Sequence, residues 1–341
     1  MKLIRTQDAV GMVLPHDITR IVKGVVKDTP FRKGHVITEE DIPLLLSLGK
    51  DHIYIFEKDE SMLHENEAAE ILRSIFIGPH MHASEVKEGK IEIIADTDGL
   101  FLVDIEKLRK INSLSQMMAA TISSGFRVRK GDRLCGTRII PLVIKKELMD
   151  EAVQIAGPEP LLKIIPYHSR TFAVVTTGNE VFYKRIEDTF TPVIEEKLAE
   201  YSCRMIAHEI TDDDDSHIKK AIEKAAASGA EMIFCTGGMS VDPDDRTPLA
   251  IKNTGAKIIS YGAPVLPGSM FLISYLPDGR PLCGLPGCVM YSKRTIFDLV
   301  LMRLIADYPV TPEYLAGLGH GGLCLNCAVC TFPSCGFGKG V

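Results

Sequence analysis

The spacing of apolar residues changes character at Thr171. Beyond it, near-continuous apolar runs alternate with stretches of helical periodicity. TFAVVTTG, RMIAHEI, EMIFCTGG, AKIISYG, MFLISYL and PLCGLPG read as strands. IEEKLAEYS, DSHIKKAIEKAAASG, DRTPLAIKNTG and a last long helix from Met290 to about Ala306 read as helices. Runs apolar at every position suit strands buried on both faces, and helices between them are the crossovers of a parallel sheet. The pattern predicts an α/β fold with a mostly parallel sheet over residues 166–310.

Upstream, the pattern is mixed. Residues 1–60 carry short extended runs, then a helix start at Thr38 and Asp41 ahead of Leu44, Leu45 and Leu48, then a strand over HIYIF. This small β-rich segment looks too short for a core of its own. Residues 61–165 combine β runs such as IEIIA, LFLVD and GTRIIPLVI with helices ending near Phe76, over IEKLRKINSL, and over KKELMDEAVQIAG, which Gly157 and Pro158 stop. That is an α+β middle domain. Residues 311–341 form a tail rich in glycine and cysteine.

The 341 residues carry 39 Lys and Arg against 45 Asp and Glu, a formal charge of −6. That balance argues against a nucleic-acid partner, which would call for a basic face. No apolar run reaches the roughly 18 residues of a membrane helix, and MKLIRTQDAV lacks the apolar centre of a signal peptide. The expectation is a cytoplasmic protein with no membrane partner.

Candidate chemistry sits at strand ends. Thr177 and Gly178 follow AVVT. Thr236, Gly237, Gly238 and Ser240 follow MIFC. Gly284, Pro286 and Gly287 precede the last helix. Glycine at such a turn lets backbone amides approach an anion, and open α/β sheets take ligands at the carboxyl ends of their strands. Acids accompany the turns: Glu180, the run Asp212 to Asp215, and Asp242, Asp244 and Asp245. One aspartate of the run is expected to cap the next helix. Carboxylates beside a phosphate cradle are what Mg²⁺ needs, because it binds one or two of them together with substrate phosphates. No G-x-G-x-x-G follows the first strand, which argues against a dehydrogenase.

TTGNE, ITDDDDS, TGGMSVDPDD, the PG of VLPGSM and GLPG, in this order, resemble the molybdopterin-binding domain shared by molybdopterin adenylyltransferase and molybdopterin molybdenumtransferase. The likeness runs from about residue 166 to 309. It implies a three-layer α/β sandwich that binds molybdopterin or its adenylate over the TGG turn, with Pro267 and Gly268 alongside. It also implies catalytic roles for Glu180, for Asp213 or Asp214, and for Asp245, with Glu180 and Asp245 as Mg²⁺ ligands. Molybdate as a co-substrate, a molybdoenzyme as a partner and a homo-oligomer follow from the same likeness. FRKGHVITEEDIPLLLSLGKDHIYIF is similar to the stretch that precedes this domain in the transferase. The chain departs from the family at Asn179, where aspartate is usual, at Leu266 and Ser269, where the transferase carries lysines, and at Cys288, which replaces asparagine. The activity implied is molybdenum cofactor maturation; the alternative is a non-catalytic molybdopterin carrier or sensor. A more distant reading is binding of another pyrophosphate compound, as in the competence-damage amidohydrolases.

In the tail, Cys324, Cys327, Cys330 and Cys335 give C-x2-C-x2-C-x4-C. Short C-x2-C steps suit zinc or an iron–sulfur cluster, and three even steps with a remote fourth cysteine lean toward the cluster. His320 could join a zinc site. With little apolar content in the segment, metal is expected to be what orders it.

Overall fold

The computed structural model describes residues 2–22, 26–55, 59–240, 242 and 245–340. Phe56 of the expected HIYIF strand and Asp244 lie outside the described residues. By pattern the chain reads as four stretches; by packing its residues gather into two compact units, one of Met1–Asp96, Val103–Ile122 and Lys130–Lys163, the other of Thr97–Leu102, Ser123–Arg129 and Ile164–Val341.

In the first unit, Lys2–Arg5 pairs antiparallel with His52–Ile55, and Ile18–Val22 with Val26–Phe31. The helix Asp41–Ser47 begins where Asp41 accepts from the Thr38 amide and hydroxyl at 2.8 and 2.9 Å. The N-terminal segment does build a small core of its own, contrary to expectation: Ala9, Leu14, Ile18, Phe31, Ile37, Leu45 and Ile53 pack together. One residue from each of three strands (Ile18, Phe31 and Ile53) and Leu45 of the helix close it together with Ala9, Leu14 and Ile37 from the connections. A four-stranded antiparallel sheet, in the order Met81–Ala83, Ile91–Ala95, Arg133–Ile139 and Met117–Thr121, makes up most of the rest. The helices Glu65–Phe76, Ile105–Asn112 and Lys146–Ala156 belong to the same unit.

The second unit is built on six strands: β1 (Thr171–Thr177), β2 (Arg204–Thr211), β3 (Met232–Thr236), β4 (Lys257–Tyr261), β5 (Leu272–Tyr275) and β6 (Pro281–Leu285). Their spatial order is β2-β1-β3-β6-β5-β4. The first four in that order are parallel, and β5 and β4 add an antiparallel edge. Alternate residues serve opposite faces, as the period of a strand requires. Phe172, Val174, Met232 and Phe234 pack against helices α2 (Phe190–Ala199) and α5 (Ile296–Ile305). Ala173, Val175, Ile233 and Cys235 pack against α3 (Asp215–Ala227) and α4 (Thr247–Asn253). Helix, sheet and helix make three layers, as the strand pattern and the resemblance both imply. The unit also holds two short helices, α1 (Asn179–Phe182) and α6 (Pro312–Gly317).

The last long helix does not begin at Met290. Gly287–Met290 is a 3-10 turn, and α5 starts at Ile296. Its capping box sets that start: the Thr295 hydroxyl accepts from the Phe297 amide at 3.2 Å, and Asp298 accepts from the Thr295 amide at 2.8 Å.

Candidate functional site

The parallel strands of the second unit end on the glycine turns. Strand order reverses beside β1, so a crevice is expected at the carboxyl ends of β1 and β3. A cavity of about 630 Å³ lies at this end, lined by the TGG turn, the PG turn and the LPG turn. Gly237, Gly238, Ser240, Asp245, Pro267, Gly268, Pro286 and Gly287 line it, eight of the residues picked out from sequence. Phe190, Met239, Leu266, Ser269, Met270, Cys288, Met290 and Tyr291 share its wall. Among the described lining residues there is no lysine or arginine, and Asp245 is the one charged group.

Two glycines hold this geometry by their size. Gly237 has φ +83°, and a Cβ there would lie 2.2 Å from the Thr177 carbonyl oxygen, so only glycine lets the TGG turn close on β1. Gly268, at φ +123°, would put a Cβ 2.3 Å from the Ile296 Cγ2, which seats the PG turn on the start of α5. Thr247 braces the TGG turn from α4: its hydroxyl donates to the Gly237 carbonyl at 2.9 Å and meets the Thr177 hydroxyl at 3.1 Å. Tyr261, on the edge strand β4, braces it from the other side by donating to the Met239 and Ser240 carbonyls at 3.1 and 3.3 Å.

The remaining predicted residues do not line the cavity. Thr177 and Gly178 are buried beneath the first turn, where the Gly178 amide donates to the Thr211 carbonyl at 3.2 Å. Gly284 is a packing position: a Cβ would strike the Met239 sulfur at 2.4 Å. Thr236 is 1% exposed, and its hydroxyl has no partner among the described groups. An orphaned buried hydroxyl of this kind costs about 1–3 kcal/mol.

The acids separate by role. Asp214 is the helix cap: its carboxylate accepts from the Ser216 and His217 amides at 2.9 and 3.3 Å, and the Ser216 hydroxyl and His217 amide hold it below the ordinary carboxylate value. Asp212 pairs with His217 at 2.9 Å, and Asp215 lies 3.5 Å from Arg246. Asp213 faces the first turn instead, accepting from the Asn179 amide at 2.9 Å. Burial raises its carboxyl, and the charges of Glu180, Asp212 and Asp245 raise it further, against the opposing Asn179 amide. Asp245 accepts from the Ser240 amide at 2.9 Å and so closes the TGG loop. Glu180, Asp212 and Asp245 therefore lie near enough to Asp213 to act on it electrostatically. No three His, Cys, Asp or Glu side chains among the described residues are gathered so that they could hold a metal ion.

A polar knot beside the site was not read from the sequence. Asp188 accepts from the Thr176 and Thr191 hydroxyls at 2.8 and 2.6 Å and from the Phe190 and Thr191 amides at 2.8 and 3.1 Å, and His208 Nε2 lies 3.2 Å from it. Burial raises this carboxyl, yet those bonds outweigh burial and leave it below its usual value. The signal was available as an aspartate just ahead of the apolar run of α2, a helix-start pattern. It ties β1, β2 and α2 together below the first turn.

In the tail, His320 Nδ1 is 2.8 Å from the Gly340 carbonyl oxygen, on which it is spent. The segment has more packing than its composition promises. Phe337 is 4% exposed within the main core, and Phe332 lies against Phe126 and Phe337 with ring centroids 6.1 and 6.2 Å apart. Aromatic packing of Phe332 and Phe337 therefore ties part of the tail to the core, beside the metal expected to order it.

A mostly parallel sheet with glycine turns around a cleft at its strand ends defines a ligand-binding α/β domain. Residues 173–307 match the family model of the probable molybdopterin binding domain, and this part of the chain is a domain of that family. Residues 3–57 match a domain of unknown function, which is where the stretch resembling the transferase falls. A molybdenum cofactor biosynthesis bifunctional protein of Synechococcus elongatus is 34% identical over 83 residues, 24% of this chain and 26% of that protein. A competence-damage inducible protein of Bacillus mycoides is 31% identical over 93 residues, 27% of this chain and 22% of the other. The matched stretch thus spans about a quarter of these relatives' length. The tungsten cofactor synthesizing protein MoaB of Pyrococcus furiosus aligns at 20% identity with a TM-score of 0.33, over 40% of this chain and 91% of that one. Among the described residues no helix is long and apolar enough to cross a membrane.

Proposed function

We propose that the second unit binds molybdopterin or its adenylate in the 630 Å³ cleft and acts in molybdenum cofactor maturation as a molybdenumtransferase-like enzyme. The observation that carries this reading is the make-up of the cleft. The TGG and LPG turns at parallel strand ends and the PG turn between β4 and β5 present backbone to a ligand, and apolar side chains such as Met239, Met270 and Tyr291 offer a flat ring a surface. Without basic side chains in the described lining, the charge of a phosphate or pyrophosphate has to be met by turn amides and a cation.

Mg²⁺ fits that need. Asp213 and Asp245 supply the one or two carboxylates such an ion takes, and the like charge around Asp213 is what a cation relieves. Bound Mg²⁺ would screen the pyrophosphate oxygens. Asp245 would also keep the TGG loop closed through the Ser240 amide. Glu180 lies exposed at the mouth of the first turn and would assist, whereas the Asp214 carboxylate is committed to its cap. A homo-oligomer belongs to the same proposal, and the edge strand β2 exposes Ile206 and Ile210 where a second copy could cover them.

Release of AMP from adenylylated molybdopterin, dependent on Mg²⁺ and molybdate, tests the enzyme. A second reading, a carrier or sensor that binds without turnover, is favoured by Leu266 and Ser269 standing where lysines would handle molybdate. Tight binding with no AMP released would establish the carrier and retire the enzyme.

A further inference from the structure

A second cavity, of about 280 Å³, lies in the tail, and all four of its clustered cysteines line it. Cys324, Cys327, Cys330 and Cys335 come from a segment of only twelve residues, and they surround a volume instead of meeting at a point. A structural zinc ion draws four sulfurs to about 2.3 Å around one centre. A cluster spreads its sulfurs around several atoms, and three evenly stepped cysteines with a remote fourth suit it. We propose that these four cysteines ligate an iron–sulfur cluster, which occupies this cavity as a body of several atoms. The assignment stands apart from the pterin reading and needs neither its ligand nor its reaction.

Three observations support the donor set and its surroundings. All four cysteines are free thiols, and Cys327 and Cys330 are exposed, so their side chains can rotate inward without disturbing a core. The shell is part apolar and part cationic. Phe332 and Phe337 wall the cavity, which limits water, and Lys293 and Arg294 face it, which favours thiolates and a cluster of net negative charge. The backbone that carries the ligands is already fixed. The Cys324 amide donates to the Leu266 carbonyl at 2.8 Å, and Lys293 donates to the Cys327 and Ala328 carbonyls at 3.2 and 2.8 Å. Leu266 also lines the larger cleft, so the cluster would sit behind the wall of the ligand site.

The test uses the full chain, reduced and reconstituted anaerobically with ferrous iron and sulfide. The expected result is about four iron and four acid-labile sulfide per chain for a cubane cluster, with a broad thiolate-to-iron absorption in the visible. Replacing Cys327→Ala and Cys330→Ala together lowers both contents at least tenfold, and Cys203→Ala, in the same unit but away from the tail, leaves them unchanged. Mössbauer spectra of the unmodified chain give a reading that does not depend on how the variant folds; sulfur-ligated, spin-coupled iron is expected. Iron and sulfide no higher than in a reconstituted chain blocked at its thiols would overturn the proposal. So would one zinc per chain with no labile sulfide.

Discussion

Gly237 and Asp245 stand about a turn apart on one loop and do different work. Gly237 lets the TGG turn touch β1, so Gly237→Ala forces a Cβ against the Thr177 oxygen at a positive φ. Strain of that kind costs about 1–3 kcal/mol where the fold holds the backbone in place. We expect the melting temperature to fall and ligand affinity to drop at least tenfold, measured by calorimetry. Asp245→Asn keeps the loop's polar side chain but removes the charge. It should weaken Mg²⁺-dependent turnover far more than metal-free binding of the pterin; equal losses in the two assays would refute its metal role. Asp213 carries a pH signature. Its carboxyl is raised in the folded protein, so its favourable contribution is present below the unfolded value of about 3.9 and is lost as pH rises through the folded value. Asp213→Asn should therefore stabilise the metal-free chain increasingly as pH rises from about 4 through the raised folded value and level off above it, and saturating Mg²⁺ should close the gap. Thermal melts across that range decide it.

Helices α2 and α5 are locked by a buried charge pair. Lys197 Nζ lies 2.8 Å from Asp298, with side chains 9% and 3% exposed, and Arg294 reaches the same carboxylate at 2.8 Å. Removing one member of a buried pair costs about 3–5 kcal/mol, and Arg294 remains to hold Asp298 after Lys197→Met. The expected loss is thus near the lower end, about 3 kcal/mol by denaturant unfolding. Elements of this unit were legible in the chain because its central strands β1, β3 and β6 are near-continuously apolar and its helices are amphipathic. The start of α5 was misread because Gly287 to Met290 continues the apolar character of the helix. The Thr295 to Asp298 capping box was the stronger signal. The glycine turns were legible for a related reason, since each closes a strand. Asp188 was legible only as a helix start, because its bonds to Thr176 and the approach of His208 come from other strands, and the Tyr261 brace was not legible, because Met239 and Ser240 lie on a distant turn. Likewise, only the packed structure shows that Asp214 is spent on a cap while Asp213 faces the first turn.

At the scale of the whole molecule, the exposed isoleucines of β2 bear on association. Sedimentation over a micromolar concentration series should give a multiple of the 37.5 kDa chain mass. Ile206→Lys with Ile210→Lys should return it toward that mass without lowering the melting temperature, because both side chains are exposed in the single chain. A single-chain mass for the unmodified protein at every concentration would refute the assembly.

Phe332 and Phe337 complete a core to which Leu100 and Phe126 also belong. More than two hundred residues separate the Phe126 ring from the Phe332 ring it touches. Contacts of such separation close late, since the loop entropy is spent before the contact returns anything. On the ribosome, this side of the core would therefore stay open until Phe332 and Phe337 have emerged. A chain cut ahead of Phe332 would leave the Phe126 ring without the aromatic partner it packs on.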